Sequence, residues 1–244
     1  MSSLEFSHYG LHHIVKKQKN RQMKTTQLLS IAFLLMTAKP LMAQEKSLIK
    51  LNLPELLSEQ KLKGDNRQLT LSHVNSTHRG VAMNESTGGA GFAWLNGISF
   101  EEGEIDFDVK GKDKMGGSFV GLAFHGVDST NYEAIYFRPF NFFKPDRKDH
   151  SVQYISIPNY DWYTLRTNHK GVYENEIEDA PKPNDWFHVR IVITESNIQV
   201  FVNNKNKPSL EVTPIEKKKG KRIALWVGAT SAGEWANLEI KKIK

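Results

Sequence analysis

At 244 residues, 39% hydrophobic and 25% charged, the chain has the composition of a soluble globular protein, which excludes wholesale disorder and a polytopic membrane protein. The absence of cysteine excludes a disulfide framework, a thiolate metal site and a cysteine nucleophile. The formal charge of +6 is concentrated at the N-terminus: residues 1–43 hold six of the 33 Lys and Arg and one of the 27 acids, so the remainder carries +1, without the basic footprint of a nucleic-acid binder.

In chain order, the first signal is "MKTTQLLSIAFLLMTAKPLMAQ", beginning at Met23. A lysine, an apolar run from Leu28 to Met36 and a small-residue exit at Ala43 have the layout of a secretory signal peptide, too short for a permanent bilayer span. The reading predicts a leader over 23–43 and a single domain over 44–244, secreted or periplasmic and free of the membrane once the leader is removed. Residues 1–22 then form an extension ahead of the natural start; the alternative is a basic tail before a short anchor.

Beyond the leader, "LIKLNLPELLSEQ" (Leu48–Gln60) is compatible with a helical turn. Short runs rich in β-branched and aromatic residues follow: "RQLTLSHV", "GEIDFDVK", "SFVGLAFHG", "AIYFRPF", "SVQYISI", "WFHVRIVIT", "IQVFVNN" and "IALWVGA". Gly, Asn, Asp, Ser and Pro punctuate them, the pattern of strands joined by turns. Such strands without helical spacers predict an all-β, antiparallel sandwich or barrel rather than a parallel sheet. The exception is Asn141 to Asp185, broken by Pro145, Pro158, Pro181 and Pro183 but rich in aromatic residues. It holds the strand run "SVQYISI" and is expected otherwise to fold over the sandwich as a long loop.

The runs "FEEGEIDFDVKGKD", "GGSFVGLAFHG", "YFRPFNF" and "DWFHVRIVI…IQVFVNN…IALWVGATSAGEWANLEI" resemble the concanavalin A-like jelly rolls, and within them the 3-keto-disaccharide hydrolase domain family. The similarity spans roughly Gln68 to Ile240. It implies an antiparallel two-sheet jelly-roll sandwich with one concave face, export, and a carbohydrate ligand or substrate. It brings no settled catalytic set.

Strand alternation places candidate residues on that face. If Leu122, Phe124, Ile135 and Phe137 are core, then His125, Tyr136 and Arg138 lie together on the other side. An imidazole, a phenol and a guanidinium supply planar hydrogen-bonding groups and ring faces suited to a polyol. Gln153, Tyr154 and Trp162 could complete the site. A bland role is open for Arg138: pairing with a carboxylate to fix the long loop. For a glycoside hydrolase, the acid/base pair would be His125 with Glu174 or Asp161. A non-catalytic lectin-like module needs no such pair, and a protein-interaction sandwich needs no sugar site.

A second constellation is "EIDFD". Family-16 glycoside hydrolases carry E-I-D-x-E on a strand; here Glu104 and Asp106 match, and Asp108 replaces the last Glu. The competing reading is a solvated acidic strand face. His73, His78, His125, His150, His169 and His188 show no metal-ligand spacing, so neither a metal nor another cofactor is expected. Calcium bound through loop oxygens is compatible with the sequence but cannot be placed by it.

Overall fold

Each run of alternating apolar residues becomes a strand, and the pattern of burial along it tells what lies on its two sides. The structure is a computed structural model describing residues 47–72, 77–217 and 220–243. The signal peptide expected at 23–43 and the extension at 1–22 lie outside these residues. In chain order the strands are β1 (Ser47–Leu51), β2 (Leu62–Asp65), β3 (Leu69–Ser72), β4 (Gly80–Met83), β5 (Gly91–Leu95), β6 (Gly103–Lys110), β7 (Val120–Asp128) and β8 (Asn131–Phe137). They continue as β9 (Val152–Ile157), β10 (Glu174–Asn175), β11 (Phe187–Ile193), β12 (Ile198–Val202), β13 (Leu210–Val212), β14 (Arg222–Val227) and β15 (Gly233–Lys242). Two short helices join them: α1 (Leu53–Ser58) and α2 (Trp162–Asn168).

The strands form two antiparallel sheets. One runs β13-β12-β11-β6-β15-β4-β3, with β1 also on β15; the other runs β10-β9-β8-β7-β14-β5-β2. The chain is an all-β, jelly-roll sandwich of the concanavalin A-like type. Ile105, Phe107 and Val109 of β6 and Val189 and Ile191 of β11 face Leu122, Ile135 and Phe137 of the second sheet, all with no exposed surface. Phe137 meets Phe187 edge-on at 5.2 Å, and the Trp235 indole donates to the Gly121 carbonyl at 3.1 Å, so the sheets are joined by ring packing and a buried hydrogen bond.

The helical turn compatible with Leu48–Gln60 is α1, preceded by β1; Asn52 caps it and Pro54 sits in its first turn. The segment Asn141–Asp185 differs more from expectation. Besides β9 it contains α2 and the short β10, and turns and loop make up the rest. Asp161 caps α2, its carboxylate accepting from Thr164 N at 2.7 Å. The helix escapes a periodicity search because it lasts only seven residues and, apart from Leu165 and Arg166, is built from Trp, Tyr, Thr and Asn, which are weak helix formers.

Candidate functional site

The outward face of the seven-stranded sheet carries a row set by register. Gln153 of β9 pairs with Tyr136 of β8, Tyr136 with Gly121 of β7, and Gly121 with Trp226 of β14. Gly121 has no side chain, and a Cβ there would lie 2.0 Å from the Ile135 carbonyl. The gap lets the rings of Tyr136 and Trp226 approach to 5.0 Å. They form the floor of a cleft of about 640 Å³, a size that suits a small ligand. Phe119 and Trp162 stand in its walls.

Arg138 lies beside this floor at 5% exposure. One guanidinium nitrogen donates to the Tyr136 hydroxyl and to Gln153 Oε1, both at 2.6 Å; another donates to the His150 carbonyl at 3.0 Å. The guanidinium also lies over the Tyr136 ring, 4.8 Å from its centroid. Burial holds the Arg138 pKa below its ordinary value and pushes the Tyr136 hydroxyl up. The phenol therefore stays neutral, and the guanidinium remains a cation. Arg138 serves both readings: it lines the cleft, and through His150 it anchors the segment that follows β8.

Glu174, opposite Gln153 on β10, is buried behind the floor. Arg166 of α2 grips it with two nitrogens, Nε at 2.8 Å from Oε1; His150 Nδ1 lies at 2.9 Å and Arg138 at 3.7 Å from Oε2. A carboxylate so buried and gripped by Arg166 is a positioning group, not an accessible acid or base. Asn141 follows Pro139 in a short 3-10 turn and lines the cleft. Its Nδ2 donates to the His150 carbonyl at 3.1 Å, while its Oδ1 is buried without a partner, as is Gln153 Nε2. Asp161 reaches the cleft while capping α2, and Trp162 presents a 46%-exposed ring.

Tyr136, Arg138, Gln153, Asp161 and Trp162 are thus brought to one region, with Glu174 beneath it. His125 is not. The β7–β8 register slips between Phe124 and Asp128, and His125 takes φ +48°, so simple alternation fails one residue after Phe124. Its Nδ1 lies 2.6 Å from Glu133 Oε2 and its Nε2 2.6 Å from the Glu101 carbonyl, beside a separate groove. Burial pulls its pKa down, but the Glu133 hydrogen bond and the Glu101 carbonyl outweigh it and the net shift is upward. A ring donating from both nitrogens has no lone pair left for a base.

Tyr154 also leaves the site. It alternates with Gln153, pairs with Ile135 and points between the sheets, where its hydroxyl donates to the buried Glu133. The acidic trio lies on the other sheet altogether. Glu104, Asp106 and Asp108 share the outward face of β6, where Lys241 bonds Glu104 and Asp106, and His188 lies 2.9 Å from Asp108 and 3.5 Å from Asp106. This face is neither a family-16-like cleft nor freely solvated, because cross-strand cations from β11 and β15 occupy it. Residues not selected from the sequence are Trp226, visible by parity within "IALWVGA", and Asn141 and His150, for which the only signal was Pro139 starting a turn.

Among the described residues no cluster of three or more His, Asp or Glu is arranged to hold a metal ion, and no helix is long and apolar enough to cross a membrane. No family model matches the chain, and no curated protein matches it. Among solved structures it is similar to the carbohydrate binding module CBM66 from Bacillus subtilis, with 11% identity over 74% of this chain and 95% of that one, TM-score 0.52. It is also similar to the exoplasmic/lumenal domain of VIP36 in its Ca2+-bound form, with 9% identity over 73% and 84%, TM-score 0.50. At such identities these likenesses establish the jelly-roll sandwich and leave the chemistry to the site.

Proposed function

We propose that the cleft over Tyr136 and Trp226 binds carbohydrate. One observation carries the reading: a buried Arg138–Tyr136–Gln153 cluster stands beside the unpartnered Asn141 Oδ1, in a cleft floored by the Tyr136 and Trp226 rings and walled by the exposed Trp162 ring. Hydroxyls need fixed polar partners, and the C–H faces of a sugar ring need flat apolar surface. The fold similarity to a carbohydrate binding module accords with this reading. The leader expected at 23–43 would place the activity outside the cytoplasm.

Capture without turnover is the favoured form. Glycoside hydrolysis by two carboxyl groups requires them to flank one bond, ~5–5.5 Å apart for retention or ~6.5–9.5 Å for inversion. Asp161 is the single carboxylate among the described residues lining the cleft, and it also caps α2. The resemblance to 3-keto-disaccharide hydrolases makes 3-keto sugars the first turnover substrates to try. The test is a glycan panel including them, run on the native chain and on Trp162→Ala. Binding without product release, weakened about tenfold in Trp162→Ala at nearly unchanged melting temperature, is expected. No binding across the panel, or binding indifferent to Trp162, would overturn the proposal.

A further inference from the structure

The cleft's hydrogen-bonding capacity is one-sided. Outward positions run Gln153, Ile155, Ile157 along β9 and Arg138, Tyr136, Ala134, Tyr132 along β8. The register rows are therefore Tyr136 with Gln153, Ala134 with Ile155 and Tyr132 with Ile157. Beyond Tyr136 lie Arg138 and then Asn141, whose Oδ1 has no protein partner. In the opposite direction Ala134, Ile155 and Ile157 are aliphatic, and Tyr132 is the one ring among them. The Tyr132 hydroxyl is 4% exposed as a residue and already accepts from the Trp226 indole at 3.3 Å. Asp161 gives one oxygen to the α2 cap.

Outward positions of an antiparallel sheet are normally polar when they meet water. Isoleucine at two successive outward positions of β9, both lining the cleft, makes an apolar wall. A sugar hydroxyl pressed against it would lose water and gain no partner. From Tyr132 to Arg138 the strand extends roughly 20 Å, at ~3.3 Å per residue, longer than a single pyranose needs.

We infer that the ligand is a glycoside with an apolar aglycone: its sugar ring sits over Tyr136 and Trp226 with hydroxyls toward Asn141 and Arg138, and its aglycone lies along Ile155 and Ile157. This rests on the carbohydrate reading and narrows it. An aryl or alkyl group fits the apolar wall, whereas a second sugar would set several hydroxyls against it.

The experiment compares p-nitrophenyl and octyl glycosides of glucose, galactose, mannose and N-acetylglucosamine with the free sugars and with p-nitrophenol, by calorimetry on the native chain. The expected result is that at least one glycoside binds roughly tenfold or more tighter than its free sugar, and that Ile157→Thr narrows this ratio. Equal affinity for glycoside and free sugar overturns the inference and leaves the carbohydrate reading standing. Binding of p-nitrophenol as tightly as its glycosides, or no binding by any probe, overturns both. The native-chain comparison decides even if Ile157→Thr does not fold.

Discussion

The outward faces of the two sheets solve the same problem in opposite ways. On β6 and β11 buried and half-buried residues alternate strictly, and the outward positions are charged except for Val192. Glu104, Asp106 and Asp108 are met by His188, Arg190 and Lys241 from neighbouring strands. On β8 and β9 nearly every residue is buried, outward ones included. There the segment from Arg138 to Asn175 folds back: Arg138 bonds the His150 carbonyl, Arg166 of α2 bonds Glu174, and Trp162 stands beside the cleft. The charged face is finished within its own sheet. The aromatic face depends on covalently continuous chain to wall it, and this makes a cleft.

The sharpest way to break the comparison is to remove the charge that fastens the covering segment. Glu174→Ala leaves Arg138 and Arg166 without their shared carboxylate. Loss of one partner of a buried ion pair costs about 3 kcal/mol, so the melting temperature should fall by roughly 6–12 °C in a chain of this size. An unchanged melting temperature would mean that these charges are solvated and that the two faces are energetically alike.

Between the sheets, Tyr154→Phe tests whether the interior tolerates the buried Glu133 with one partner fewer. A hydrogen bond to a charged group contributes ~1.5–3 kcal/mol, so chemical denaturation should show a loss of about 2 kcal/mol. A neutral substitution would show that the contact with His125 suffices.

The charged face should reveal itself through pH. Hydrogen bonds to Asp106 and then Asp108 raise His188 to about 9 from an unfolded value of 6.5, against the opposing effect of burial. The folded pKa lies above the unfolded one, so the contribution is whole below pH 6.5 and is lost as pH rises through 9. Solvent screening keeps it on the order of 1 kcal/mol. His188→Gln should flatten the decline in stability over this window; an unaltered decline would assign it to other groups.

Much of the sandwich was legible because alternation is local. The run "GEIDFDVK" coincides with β6, and parity put Tyr136 and Arg138 opposite Ile135 and Phe137. Parity failed at His125 because a bulge inserts residues that no period records. At Tyr154 parity holds: the residue cannot share a face with its neighbour Gln153, and it points between the sheets. Asn141 and His150 were illegible for another reason: their positions follow from how a proline-started turn returns the chain to β9, a tertiary fact with no periodic trace.

The smallest expected effect bears most directly on function. Glu104→Gln removes a carboxylate that accepts from Lys241 and lies 3.6 Å from Arg190 on a partly exposed face. Exposed pairs contribute ~0.2–1 kcal/mol, so stability should move little and should depend on salt. Glycan affinity should not change, because Glu104 lies on the sheet opposite the cleft. Turnover by the native chain that disappears in Glu104→Gln would instead restore a hydrolase on β6. The electrostatics argue against that outcome. A retaining hydrolase keeps one carboxyl protonated as general acid, with its pKa raised. Burial pushes Asp106 and Asp108 up, but the hydrogen bonds from His188, with Lys241 at Asp106 and Asn237 at Asp108, outweigh it, and both fall below the ordinary value. Two carboxylates held ionised around one imidazolium make a clasp between β6 and β11, with no proton to give.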